Sequence, residues 1–245
     1  MKLVEYLNIV EEFLKEYLKK AHAEAYVLGL SGGVDSSLVA AMVKHAVGKD
    51  KLYCYNIEIE SHHSDKEDAN AISKELDVNL ENIDLTETYH SYLKILKGES
   101  FKRMTKANLK VRMRMVALYA YAQEKNALVV GTDNADEYYV GYFTKYGDGG
   151  VDLLPIVYLT KAEVREAAAY YGLSDAFVNR VPSAGLFEGQ TDEGEMGIKY
   201  VELDSYLLGN KVSPEATKII ERLHKISAHK RTLIARPIKY RREGK

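Results

Sequence analysis

The chain holds a single cysteine, Cys54, in 245 residues. One thiol makes no internal disulfide, no CxxC redox pair and no cysteine-based zinc site, so those chemistries are excluded. Long apolar runs are missing too: none approaches the roughly 18 residues of a membrane span. Nor is there an excess of positive charge. Lys and Arg number 34 against 36 Asp and Glu, a formal net charge of −2. That balance argues against a protein built mainly to hold nucleic acid. The first residues, Met1-Lys2-Leu3-Val4-Glu5-Tyr6, carry acid inside the first apolar stretch and no small-residue cleavage site, unlike a signal peptide. The expectation is a cytoplasmic protein with neither membrane nor nucleic-acid partner. What is present, 46% hydrophobic residues, suffices for a full core. With no linker, repeat or low-complexity tract, residues 1–245 read as one domain.

Hydrophobic periodicity alternates between helix and strand. Val4, Leu7, Val10, Leu14 and Leu18 recur at helical spacing, so the chain opens on an amphipathic helix. Strands are predicted at residues 25–30, 51–59, 79–85 and 127–130. Helices are predicted from Leu38 to about 47, from the Ser64 cap onward, at 89–96 and at 105–125. Three more are expected at 161–171 behind a Thr160 cap, at 200–208 and at 214–226. Residues 181–197 are polar and irregular, suited to a mobile flap. This alternation predicts an α/β fold with a doubly wound, Rossmann-like parallel sheet whose ligands sit at the carboxyl ends of the strands.

Residues 31–37, Ser-Gly-Gly-Val-Asp-Ser-Ser, join an apolar strand to a helix. Glycines let the backbone approach a ligand, and the free amides of a first helical turn point at negative charge. Asp35 would repel a phosphate in that cradle unless a cation lay between them, which implies a divalent metal on the ligand. No Lys-Ser/Thr follows the glycines, so this is not a Walker A loop. It resembles the pyrophosphate loop of adenylating enzymes that cut ATP between the α and β phosphates.

Further along, Asn108 and Arg112 share a helix face, and Arg112 suits a phosphate or carboxylate as well as it suits solvent. Gly131-Thr132-Asp133-Asn134-Ala135-Asp136-Glu137 is dense in oxygen ligands, and equally reads as a capped helix start. Phe143 to Pro155 places Lys145, Asp148, Asp152 and three glycines in one loop, a spacing that suggests backbone close to a ligand. His229-Lys230-Arg231 begins a basic tail that needs an anionic partner to be more than a solvated end. Cys54 falls in a predicted strand and reads as core.

Taken in order, these segments resemble the ammonia-dependent NAD synthetase family. They are Gly29-Leu30-Ser31-Gly32-Gly33-Val34-Asp35-Ser36, Asn108 to Arg114, Gly131-Thr132-Asp133 with Glu137, the Lys145-Tyr146-Gly147-Asp148 loop, Pro182 to Leu186, Gln190 to Glu193, and His229 to Arg231. The resemblance implies an ATP-dependent ligase: deamido-NAD is adenylated, pyrophosphate leaves, and ammonia displaces AMP to give NAD. Gly29 to Ser36 would bind ATP, with Ser31, Gly33, Asp35 and Ser36 on the pyrophosphate. Thr132 and Lys161 would contact ATP, Ser183 its phosphates, and Asp35 with Glu137 a Mg²⁺. Asn108, Arg112, Lys145, Asp148, Asp152, His229 and Lys230 would bind deamido-NAD. Asp148 would orient ammonia or take its proton, and Lys161 would offset charge in the adenylation. Two departures stand out: Ser183 replaces a usual threonine and Gly185 a commonly acidic residue. Family members are homodimers. An apolar stripe of Leu7, Val10 and Leu14, with another of Leu109, Met113, Val116, Leu118 and Tyr119, would supply the interface.

Overall fold

The elements run, in order, α1 (Leu3–Ala21), β1 (Ala25–Gly29), α2 (Val34–Val47), β2 (Leu52–Glu58), α3 (His63–Glu75), β3 (Leu80–Asp84), α4 (Thr86–Ile95) and α5 (Arg103–Glu124). Then follow β4 (Ala127–Val129), α6 (Ala135–Val140), α7 (Lys161–Tyr170), α8 (Asp175–Val178), α9 (Asp192–Met196), α10 (Tyr200–Leu207), α11 (Pro214–Ile226) and α12 (Ala228–Arg231). These come from a computed structural model that describes residues 1–61, 63–178, 191–238 and 240.

The four strands form one parallel sheet in the order β3-β2-β1-β4. From the central β1 the chain winds outward through β2 to β3, then crosses to β4 on the other side. That reversal opens a crevice at the carboxyl ends of β1 and β4, where doubly wound sheets place ligands. Alternation along β1 assigns the two faces. Tyr26 and Leu28 join Leu7, Leu14, Leu38, Met42 and Val164 beneath α1, α2 and α7. Val27 joins Tyr55, Ile57, Met115, Leu118 and Val129 beneath α5. The Tyr26 hydroxyl donates to the Leu14 carbonyl at 2.7 Å, which ties α1 to the sheet and satisfies a buried polar group. Among the described residues no helix is long and apolar enough to cross a membrane.

Several expectations shift. The helix after the glycine turn begins at Val34, not Leu38, so Asp35 lies in its first turn. Within the stretch read as irregular, residues 192–196 are helical and capped by Thr191; residues 179–190, with Ser183 and Gly185, lie outside the described residues. The proposed interface stripe is overturned for Leu7, Val10, Leu14 and Leu118, all buried in the chain's own core. Each such side chain contributes roughly 1.5–3 kcal/mol there. Leu109 and Met113 pack partly buried against Ile59 and Tyr89. Only Val116 and Tyr119 of the stripe remain exposed.

Candidate functional site

Gly32 makes the turn out of β1. Its φ is +79°, and a Cβ there would lie 2.7 Å from the Asp68 Cβ and 2.9 Å from the Ala69 amide nitrogen, so no larger residue fits. Ser36 Oγ donates to the Gly33 carbonyl at 3.0 Å and sits 3.2 Å from Ser31 Oγ, while Ser37 Oγ donates to the same carbonyl at 2.8 Å. These bonds set the loop shape. The amides of the α2 first turn, which have no carbonyl of their own helix to meet, face the crevice mouth.

Asp35 is held from two sides. Its Oδ1 accepts from Asn134 Nδ2 at 2.9 Å and its Oδ2 from Lys161 Nζ at 2.6 Å. Lys161 Nζ also donates to Glu137 Oε1 at 3.2 Å. Lys161 is only 1% exposed. Burial opposes its charge, but Asp35 and Glu137 more than offset that and raise its pKa. Burial pushes the Glu137 carboxyl up to about 7, against the pull of Lys161. The Tyr200 hydroxyl lies 2.9 Å from Glu137 Oε1 and 3.1 Å from Asp192 Oδ2, one proton facing two acids. Asp35, Glu137 and Asp192 thus converge around one lysine, an excess of negative charge that suits a further cation. They are not a preformed cage: no such cluster of three or more ligands exists among the described residues. A Mg²⁺ here would need substrate oxygens to complete its shell.

Lys161 opens α7, whose start is doubly secured. Thr160 and Glu163 close a capping box, and the Lys161 amide donates to Asp136 Oδ2 at 2.7 Å and Asp204 Oδ1 at 3.2 Å. Asp136 is fully buried, and burial, then Asp204, push its carboxyl up to about 8. The folded state therefore holds a proton that the unfolded chain releases near pH 4. Stability from this group is present at low pH and declines as pH rises through about 4 to 8. Asp136→Asn is expected to flatten the fall of the melting temperature across that window, measured from pH 5 to 8.5. Equal slopes for variant and wild type would show that Asp136 carries no proton.

The loop at 144–152 folds on itself. Asp148 Oδ1 accepts from the Thr144 amide at 2.6 Å, and Thr144 Oγ1 donates to Asn108 Oδ1 at 2.9 Å. Burial raises the Asp148 pKa, while the amides of Thr144, Asp148 and Gly149 pull it down. Packing within the protein itself restricts two of the loop's glycines. A Cβ on Gly149 would lie 2.2 Å from the Phe143 ring, and one on Gly147 would lie 2.8 Å from Val111.

A cavity of about 830 Å³ runs along the strand ends from Gly29 and Leu30 to Thr132, and Asn108, Asp148, Lys161 and Lys230 line it. Arg112, Lys145, Asp152 and His229 lie outside it, on the rim. Arg112 is exposed, and its Nε donates to the Lys145 carbonyl at 3.2 Å. Lys145 Nζ donates to the His229 carbonyl at 2.6 Å. Asp152 accepts from the Val129 amide at 2.7 Å and the Tyr119 hydroxyl at 3.2 Å. The arginines that line the cavity are Arg103 and Arg114, and Arg114 donates to the Ile57 carbonyl at 2.9 Å. Of the pair Asn108 and Arg112, only Asn108 lines the cavity, because α5 turns Val111, Arg114 and Met115 inward. Lys230 reaches in from the tail to the carbonyls of Gly141 (2.7 Å) and Phe143 (2.6 Å). Asn134, Asp192 and Tyr200 escaped notice as site residues. Asn134 was legible as a helix cap, since its Oδ1 accepts from the Glu137 amide; Asp192 was named only within the Gln190 to Glu193 segment, and Tyr200 carried no local signal.

The NAD synthase family model matches residues 6–235. A curated relative, the NH(3)-dependent NAD(+) synthetase of Mesoplasma florum, is 42% identical over 245 residues, covering 99% of this chain and 100% of that protein. The solved NMN synthetase of Francisella tularensis superposes with a TM-score of 0.92 at 37% identity, covering 98% of this chain and 100% of that one. The NH3-dependent NAD synthetase of Campylobacter jejuni gives 0.80 at 27% identity, covering 97% and 99%.

Proposed function

This chain belongs to the NAD synthase family, and from that premise we propose that it amidates deamido-NAD to NAD, using ATP and ammonia and releasing AMP and pyrophosphate. The observation that carries the reading is the junction of the α2 anion cradle with the Asp35–Lys161–Glu137 cluster at one end of one cavity. A carboxylate is a poor acyl donor because it carries charge and a bad leaving group; adenylation removes both obstacles. Lys161 offsets charge as the carboxylate approaches the α-phosphate, and the amides of the α2 first turn hold the pyrophosphate. Asp35 and Glu137 would hold a Mg²⁺, which would supply further neutralisation of the phosphates. Thr132 and Ser183 contact ATP and its phosphates in this reading. Ammonia is the donor: Cys54 is 2% exposed in β2 and its thiol is pushed up to about 12 by burial, so no described thiol can attack glutamine. The test is to mix the protein with ATP, Mg²⁺, deamido-NAD and either ammonium or glutamine. NAD with ammonium alone is expected; no NAD with ammonium would refute the reading.

The rim residues suit the remote part of the dinucleotide, completed by a second copy of the chain. Arg112, Val116 and Tyr119 share one stripe of α5; Tyr119 reaches Asp152, and Val116 is 72% exposed. An apolar residue so exposed among dinucleotide-binding candidates fits a homodimer whose interface borders the site. Val116→Glu is expected to yield monomers in sedimentation that bind ATP normally and deamido-NAD about tenfold more weakly, a loss of ~1.4 kcal/mol. A wild type that sediments at micromolar concentration as a fully active monomer would overturn this.

A second reading is favoured by the likeness to the Francisella NMN synthetase. It keeps the chemistry and shortens the substrate to the nicotinate mononucleotide, which needs no rim contacts. The ratio of kcat/KM for the two nucleotides decides between them.

A further inference from the structure

Tyr200 opens α10 and is buried among Val140 of α6, Met196 of α9 and Leu203. Its amide donates to Glu193 Oε1 at 2.9 Å, so backbone and ring are both held. From that seat one side chain meets both members of a buried ion pair. The ring centroid lies 4.8 Å from Lys161 Nζ, and the hydroxyl lies 2.9 Å from Glu137 Oε1. A cation over an aromatic face and a phenol donating to a carboxylate are each favourable.

Which oxygen Tyr200 meets decides what is left over. Lys161 also donates to Glu137 Oε1, at 3.2 Å, so two donors converge on that one atom. Glu137 Oε2 accepts from none of the described residues. The side chain keeps 14% exposure and lines the cavity, so Oε2 is the oxygen that a cation in the cavity meets. Asp35 instead has a donor on each oxygen, Asn134 on Oδ1 and Lys161 on Oδ2. Asp192 is committed in the same way, with Tyr142 3.2 Å from Oδ1 and Tyr200 3.1 Å from Oδ2. Among these three acids, Glu137 alone offers an oxygen with no donor from the described residues.

Resting on the Mg²⁺-ATP reading above, we propose that Tyr200 is a positioning residue: its hydroxyl holds Glu137 Oε1 beside Lys161 and so keeps Oε2 turned toward the cation that arrives with ATP. The reason is rotational. The last torsion of a glutamate is broad and nearly two-fold, so a carboxylate held by the lysine alone could present either oxygen to it. A second donor on the same oxygen, carried by a rigid and buried ring, fixes the plane of the group. Partners of this kind orient metal-ligating carboxylates, and losing one costs about 10–100-fold in metal affinity. Phenylalanine at this position keeps the ring over Lys161 and removes only the hydroxyl, which separates the two contacts.

The test uses the whole protein and two Mg²⁺ titrations. One follows pyrophosphate exchange into ATP, driven by whichever nicotinate nucleotide supports it in the wild type. The other follows the melting temperature with α,β-methylene-ATP, which is not cut between those phosphates and so reads binding without turnover. Tyr200→Phe is expected to raise the midpoint Mg²⁺ concentration about tenfold in both, with exchange at saturating Mg²⁺ within threefold of wild type. Tyr142→Phe removes a donor from Asp192 but none from Glu137, and is expected to leave both midpoints within twofold. A Tyr200→Phe midpoint within twofold of wild type in either titration would overturn the proposal. So would exchange that stays depressed at saturating Mg²⁺, or an equal shift in Tyr142→Phe, since each marks a general structural role. If Tyr200→Phe does not fold because Asp192 loses its donor, the comparison is made in an Asp192→Asn background, where the same tenfold shift is expected. A wild type whose exchange is indifferent to Mg²⁺ would sink the metal reading itself, and this inference with it.

Discussion

Lys161→Met is expected to lose both stability and adenylation. The side chain is 1% exposed and its ammonium lies between Asp35 and Glu137, so the variant leaves two adjacent carboxylates without their cation. Breaking a buried pair in this way costs about 3–5 kcal/mol. For a domain of this size that lowers the melting temperature by roughly 10 °C. Pyrophosphate exchange should fall by about 10²–10³-fold, as when one preorganised electrostatic group is removed. Part of the lost stability should return with Mg²⁺ and ATP, because a metal on the same acids replaces some of the missing charge. Thermal melts with and without Mg²⁺-ATP, beside an exchange assay, check this. A melting temperature within 2 °C of wild type and undiminished exchange would refute the role given to Lys161.

Asp35→Ala should separate chemistry from stability. Lys161 keeps Glu137 at 3.2 Å, so the buried cation stays paired and the melting temperature drops far less than in Lys161→Met. Asn134 loses an acceptor but retains its capping bond to Glu137. Exchange should nevertheless fall by about 10²–10³-fold, since the first-turn acid that meets Mg²⁺-ATP is gone. Exchange at a near wild-type rate would mean that Asp35 is not a metal ligand.

The paired acids show where reading the sequence succeeds and where it stops. Asp35 and Glu137 were named from local patterns, a glycine turn before an apolar helix and a polar segment after a strand, and Lys161 from the family resemblance alone. That they share one ammonium was not written in those patterns. Asp35 and Lys161 are 126 positions apart and Asp35 and Asn134 are 99 apart, and only the sheet's crossover brings them together. The outward turn of Arg112 was hidden for a related reason. Periodicity fixes which residues share a helix face, but rotation of that face is set by what it packs against, and here Val111, Met115 and Leu118 claim the interior.

The sequence by itself determined the four strands and the longer helices, the glycine turn, the caps at Thr160 and Asn134 and the buried place of Cys54. Each follows from forces acting over a few residues: side-chain periodicity, amide capping, and the steric freedom of glycine. The tertiary structure alone decided that Leu7, Val10 and Leu14 cover their own sheet rather than a partner. It alone assembled Tyr200, Asp192 and Asp136 around the lysine. Those outcomes depend on burial and on charges meeting across long stretches of chain, quantities that exist only once the chain has closed on itself.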